Sequence, residues 1–238
     1  MSKVFAIYPT DRSSSTGFLN RIHTFATRNL GKDWHCYKVH LNDEDHEQCL
    51  QASKDTHFVV FMGHGGESEL HGACGKFGEM PVSSDASSEN ENFYDKGVFI
   101  NAQNIGIFKG QILFCLSCNS NRNSAKSLAR ISIQKGVETF VGFGDLPTDY
   151  IEGDNFSKRC IAIYKGIIVK VIKNSITIAT QSNETIDNLV RIIKLLTTKE
   201  IQSLMLRPAF HGRRAVVNQL YKFKNEILIY GNRYAKIY

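Results

Sequence analysis

No uninterrupted apolar stretch in the 238 residues approaches the ~20 that a bilayer-spanning helix needs. The longest apolar-rich segment, residues 160–171, is broken by Lys165 and Lys170. The first apolar run, Val4 to Tyr8, stops at Pro9 and Asp11, short of the core of a secretory leader, so the cytoplasm is the expected compartment and no membrane partner is expected. Paired CxxC motifs that hold zinc are missing, as are the GxGxxG and GxxxxGK[ST] loops that cradle nucleotides. No internal repeat occurs. A lone CxxC, Cys115 and Cys118, has its first member inside an apolar strand, whereas a redox pair usually opens a helix. In a reducing compartment Cys36, Cys49, Cys74, Cys115, Cys118 and Cys160 read as free thiols. Neither cofactor nor metal is expected.

What is present fits a globular α/β chain. Hydrophobic residues make up 42% and charged residues 22%, near the average for folded domains. Charge is unevenly placed. Residues 156–238 hold fifteen Lys/Arg against four Asp/Glu, a net +11, so residues 1–155 carry −5. The basic third reads first as solvated helix faces and only second as a nucleic-acid surface.

Short apolar strands alternate with helical patterns. Lys3–Tyr8, Trp34–Leu41, His57–Met62, Gln111–Ser117 and Glu138–Phe143 predict strands. Helices are predicted over Gly17–Leu30 with a cap from Ser13–Thr16, over Asp43–Ala52, and over Ser124–Gln134. Strands alternating with helices make βαβ units and a mostly parallel, doubly wound sheet flanked by helices. Glu69–Phe77 predicts a small hairpin, and the polar, acidic Ser83–Asn92 a loop. After Asp154 the pattern turns helical, over Phe156–Lys173, Glu184–Thr197, Lys199–Met205 and Ala215–Leu220. Glu226–Tyr230 and Arg233–Tyr238 suggest a closing hairpin. The division is a core of residues 1–182 and a basic helical extension, 183–238, packed on the same domain.

Two of the strands run into reactive groups. His57–Met62 leads into Gly63-His64-Gly65-Gly66, and Gln111–Ser117 into Cys118-Asn119-Ser120. In parallel sheets, sites lie beyond the carboxyl ends of the strands. If these two strands are neighbours, an imidazole and a thiol emerge side by side. The thiolate is the nucleophile, and an imidazolium or the helix expected after Cys118 would favour it. Gly65 leaves room for a carbonyl, and its N–H with that of Cys118 would form an oxyanion hole. His64 would protonate the departing amine. Cys115, flanked by Phe114 and Leu116, reads as core; His57 starts its strand at the far edge, and His71 lies in the insertion.

Phe58-Val59-Val60-Phe61-Met62-Gly63-His64-Gly65 resembles the histidine motif of caspase-like peptidases, and Ile112 through Ser120 resembles their cysteine motif. The Leu-Ser-Cys-x-Ser form, followed by a helix and Val137-Glu138-Thr139-Phe140-Val141-Gly142, is similar to the CHAT branch, relatives of separase and bacterial caspase-like proteases. The 54 residues from His64 to Cys118 compare with about 50 in caspases. The resemblance spans residues 3–182. It implies a caspase-like fold and a cysteine endopeptidase with His64 as general acid/base, Cys118 as nucleophile and the Gly65 N–H in the oxyanion hole. It also implies a protein or peptide substrate and a regulatory protein partner in an antiviral or cell-death pathway. Ser117 stands where the family often has Ala, and the Gln-Ala-Cys-x-Gly signature of animal caspases is absent, so strict Asp specificity is not implied.

In such folds the pocket for the residue before the cut is built partly at the end of the first strand, here Thr10-Asp11-Arg12. Asp11 pointing in would favour Arg or Lys; Arg12 pointing in would favour an acid. Asp145 and Asp149 border the expected cleft, and three acids against one base lean toward a basic residue. The alternative of another class is a catalytically silent caspase-like scaffold that binds a peptide or protein.

Overall fold

The computed structural model describes residues 2–10, 15–40, 43–73, 97–148, 156–208 and 210–238. Asp11, Arg12, Asp149, Cys74 and the Ser83–Asn92 segment lie outside them. The central sheet has six strands in the order β2-β1-β3-β6-β7-β8. They are β1 (Val4–Pro9), β2 (Trp34–Val39), β3 (Phe58–Met62), β6 (Ile112–Leu116), β7 (Thr139–Gly142) and β8 (Leu228–Gly231). The first five are parallel and β8 is antiparallel to β7. Two further strands, β4 (Glu69–His71) and β5 (Val98–Asn101), pair antiparallel outside this sheet. Glu69–His71 therefore pairs with a strand from the far end of the insertion; residues 74–77 of the predicted hairpin lie outside the described residues.

The continuous apolar runs form strands because both faces of the sheet are covered. β3 shows it: Phe58, Val60 and Met62 join one core cluster while Val59 and Phe61 join the other. The first cluster packs against α1 (Asn20–Leu30), α4 (Lys158–Gln181), α5 (Ile186–Leu206) and α6 (Arg213–Asn225); the second takes in α2 (Asp43–Ala52) and α3 (Leu128–Gln134). Each fully buried Phe or Ile contributes on the order of 2–3 kcal/mol. Among the described residues no helix is long and apolar enough to cross a membrane.

The C-terminal extension is part of the same core. Phe114 on β6 meets Phe143 edge-on at 5.1 Å, and Phe143 stacks on Phe223 of α6 at 5.6 Å. The predicted break near Thr198 is absent, and α5 runs on through it. No closing hairpin forms. β8 adds to the sheet, and the segment after Gly231, at φ 81, turns back to the α4–α5 junction instead. There Ile186 N donates to Ala235 O at 3.0 Å and Ile237 N to Glu184 O at 3.2 Å. The Asp187 carboxylate, nearly buried, accepts from Arg191 at 2.8 Å and from Arg233.

α1 begins at Asn20, after a 3-10 turn over Gly17–Leu19, and Thr16 makes no side-chain cap. Gly31, at φ 54, ends it as expected. α3 is shorter than the periodicity suggested. It begins only at Leu128, where the Ser127 hydroxyl accepts from the Arg130 N–H. In the residues before it the Ser120 hydroxyl donates to Cys115 O and Ser117 O and the Ser124 hydroxyl accepts from Lys126 N, local bonds that hold turns in preference to helix. A helix N-terminus therefore does not act on Cys118, contrary to the expectation from sequence.

Candidate active site

Register, more than sequence separation, brings the two reactive groups together. β3 and β6 are adjacent and parallel, and Met62 pairs with Leu116. His64 and Cys118 each stand two residues beyond that pair, so they leave the sheet edge level and on the same side. The site lies beside β1, where the strand order reverses between β1 and β3, at the carboxyl ends where such sheets bind ligands. Both side chains are half-buried and line one narrow cleft, with a cavity volume of about 20 Å³.

A short return positions His64. His71 N donates to His64 O at 3.0 Å and Gly66 N to Glu69 O at 2.9 Å. Gly65 and Leu70 face each other between these two bonds, as in a wide antiparallel pair, so the Gly65 N–H points away from β4. A Cβ on Gly65 would lie 2.9 Å from the Ser117 side chain and 3.0 Å from Leu70, so only glycine lets the histidine turn sit this close to the cysteine strand. The imidazole Nε2 and the Ser15 hydroxyl are hydrogen-bonded at 2.9 Å, and Ser15 is buried. This contact fixes the ring's orientation from the loop after β1.

The cysteine turn is riveted by a serine. Ser117 N closes on Cys115 O at 2.9 Å, bending the chain out of β6, and Asn119 takes φ 55, a left-handed conformation that Asn tolerates. The buried Ser120 hydroxyl donates toward Cys115 O and Ser117 O, at 3.0 and 2.9 Å, and accepts from Phe143 N at 2.9 Å. Asn119 N and Asn121 N bond Gly144 O and Phe143 O, both at 3.0 Å. The extension supports the same turn: Asn121 Nδ2 donates to Glu226 O at 2.7 Å and the Tyr230 hydroxyl to Asn121 O at 2.6 Å. In this conformation the Cys118 thiol donates to Leu146 O at 3.4 Å.

Burial sets three other thiols apart. Cys115 is fully buried, and burial pushes its ionisation well up. Burial likewise pushes Cys36 up to about 12 and raises Cys49. These thiols are inert near neutral pH. His57 lies across from Glu138, with Nε2 at 3.5 Å, at the opposite end of β3 from His64, and His71 pairs with Glu69 at 3.2 Å.

Of the residues expected to set substrate preference, Asp145 is exposed and does not line the cleft. Asp11, Arg12 and Asp149 fall outside the described residues. The wall is instead built from Phe18, Leu19, Leu116, Leu146 and Ile168, with Thr16, Thr148 and Tyr164. Sequence reasoning missed four contributors. Ser15 read as a helix cap, Ser120 as a loop residue and Tyr164 as one apolar position of a helix; the Leu146 carbonyl is backbone and leaves no sequence signal. Comparison with protein-family models, with curated proteins and with solved structures finds no match for this chain.

Proposed function

We propose that this chain is a cysteine endopeptidase of the caspase-like kind. The observation that carries the reading is that His64 and Cys118 leave adjacent parallel strands at matched register and line one cleft. In the proposed cycle His64 takes the Cys118 proton and the thiolate attacks a peptide carbonyl. The oxyanion faces the Gly65 N–H, one such donor being worth roughly 10²–10³ in rate. His64 then returns the proton to the leaving amine, and water releases the acyl group. A regulatory protein partner of the kind implied by the resemblance would switch this site.

An acyloxymethyl-ketone peptide and iodoacetamide test this together. Both should modify Cys118 at neutral pH well before Cys36 or Cys115, as mapped by mass spectrometry. The His64→Ala variant should slow both reactions at least tenfold. Equal labelling of Cys118 and Cys36, unchanged in His64→Ala, would remove the catalytic pair and favour the silent scaffold. Ser15→Ala should lower kcat about tenfold with KM nearly unchanged, because it frees the imidazole without touching the cleft wall. A change confined to KM would show that Ser15 serves binding instead.

A further inference from the structure

A second cavity runs along β8, the last strand of the sheet. Its volume is about 410 Å³, within the range that ligand sites occupy, against about 20 Å³ beside the catalytic pair. α5 lines it with Asp187, Arg191 and Lys194, at i, i+4 and i+7 and so on one helix face. β8 lines it with Ile229 and Gly231, and Arg233 follows from the segment beyond.

β8 is an edge strand, with no second neighbour among the described residues. Its pairing with β7 fixes which of its backbone groups are left over. Asn232 N donates to Glu138 O at 3.0 Å, so those two residues face each other as a hydrogen-bonded pair. Such pairs alternate along an antiparallel ladder. Phe140–Tyr230 and Gly142–Leu228 are then hydrogen-bonded, whereas Thr139–Gly231 and Val141–Ile229 are not. The N–H groups of Ile229 and Gly231 and the Ile229 carbonyl therefore point out of the open edge, and both residues line the cavity. Water can meet these groups in the free protein, and an added strand would meet them in register.

Charge decides what would pair there. Arg191 and Arg233 share the nearly buried Asp187 carboxylate, and Lys194 has no ion partner among the described residues. The lining thus carries three cations against one acid, a net +2. A second copy of this chain would bring the same charge to the edge, and cations along an edge oppose that pairing. The rest of the lining is apolar, Val190 and Ile227 included, which suits a peptide better than a phosphate chain. Alternate side chains of an added strand would face α5, and acids at those positions would meet Arg191 and Lys194. We propose that the cavity is a docking groove for an extended acidic segment of a partner protein, which adds to β8 as a seventh strand with an acid at every second position. No residue of the groove lines the cleft of His64 and Cys118, so the groove and the peptidase reading stand or fall separately.

Amide hydrogen exchange followed by nuclear magnetic resonance tests the groove on the full chain carrying Cys118→Ala, which cannot cut the probe. The probe is a capped hexapeptide of alternating Thr and Glu, at low salt. Without it, the Ile229 and Gly231 amides should exchange about tenfold or more faster than those of Leu228 and Tyr230, which β7 holds. Saturating probe should slow Ile229 and Gly231 by about tenfold or more. Lys194→Glu should weaken binding about tenfold through charge reversal. Its melting temperature should not fall, since that side chain has no ion partner to lose. A Thr/Lys hexapeptide and a backbone N-methylated copy of the Thr/Glu probe should each bind about tenfold or more weakly than the probe itself. Four results overturn the proposal. The Thr/Glu probe fails to bind. The N-methylated copy binds equally well, which reduces the groove to a patch of charge. An oligothymidylate binds more tightly than the probe and slows neither amide, which gives the surface to nucleic acid. Both amides are already slow in an unliganded chain that sediments as a dimer, which gives the edge to a second copy.

Discussion

Exchange of His64 for alanine should lower peptide turnover by about 10²–10⁴-fold, the range set by loss of a positioned general acid/base. The imidazole is the one histidine among the cleft's described side chains, and Ser15 holds it in place. Its loss removes both the base that ionises the thiol and the acid that protonates the amine. Cys118→Ala should fall to the uncatalysed background, and the double variant should be no worse, because a nucleophile and its base act as one unit. Neither exchange should unfold the protein, since both side chains are half-buried and sit beyond the last strand pair. The measurement is kcat and KM on one fluorogenic peptide, beside a thermal melt. A His64→Ala variant that keeps more than about a third of its turnover would leave the thiol without its partner and defeat the mechanism.

How much of this site could be read from the sequence follows from the range of the interactions. The strands that carry His64 and Cys118 announce themselves because five consecutive apolar residues followed by glycine or a polar turn are a local pattern. Their adjacency was a conditional inference, and the register of Met62 with Leu116 is what satisfies it. The helix expected at Ser124 failed for a local reason, turn-forming side chains competing with helical hydrogen bonds until Ser127 caps Leu128. The partner of β4 was out of reach for the opposite reason. Its partner Val98–Asn101 lies across the whole insertion, and no local periodicity encodes a pairing at that distance. The same holds for Tyr164 and Ser15, which reach the cleft only after α4 and the loop beyond β1 have packed. Periodicity tells which face of α4 is buried, but not that one of its buried residues borders a cavity.

Gly142→Ala should be the most damaging single methyl in the protein's cysteine turn. A Cβ at position 142 would lie 2.4 Å from Ser120 O and 2.8 Å from Asn121 Cα, backbone atoms that cannot rotate away. β7 cannot yield, because Gly142 is paired with Cys115 on one side and Leu228 on the other. The turn must therefore move, breaking the bonds from Asn119 N and Asn121 N to the Phe143–Gly144 carbonyls and the Ser120 rivet. Overpacking costs about 1–3 kcal/mol, and each broken buried hydrogen bond adds roughly 1 kcal/mol or more, so a loss of about 3–5 kcal/mol is expected from urea unfolding. The folded fraction should also lose activity at least tenfold, because Cys118 sits at the head of the displaced turn. Gly166→Ala is the control. A Cβ there meets nothing within 4 Å, so that variant should hold or gain up to about 1 kcal/mol through helix propensity. Equal stability and full turnover in Gly142→Ala would mean that the turn adapts freely, and a freely adapting turn could not hold the sulfur in register with the imidazole.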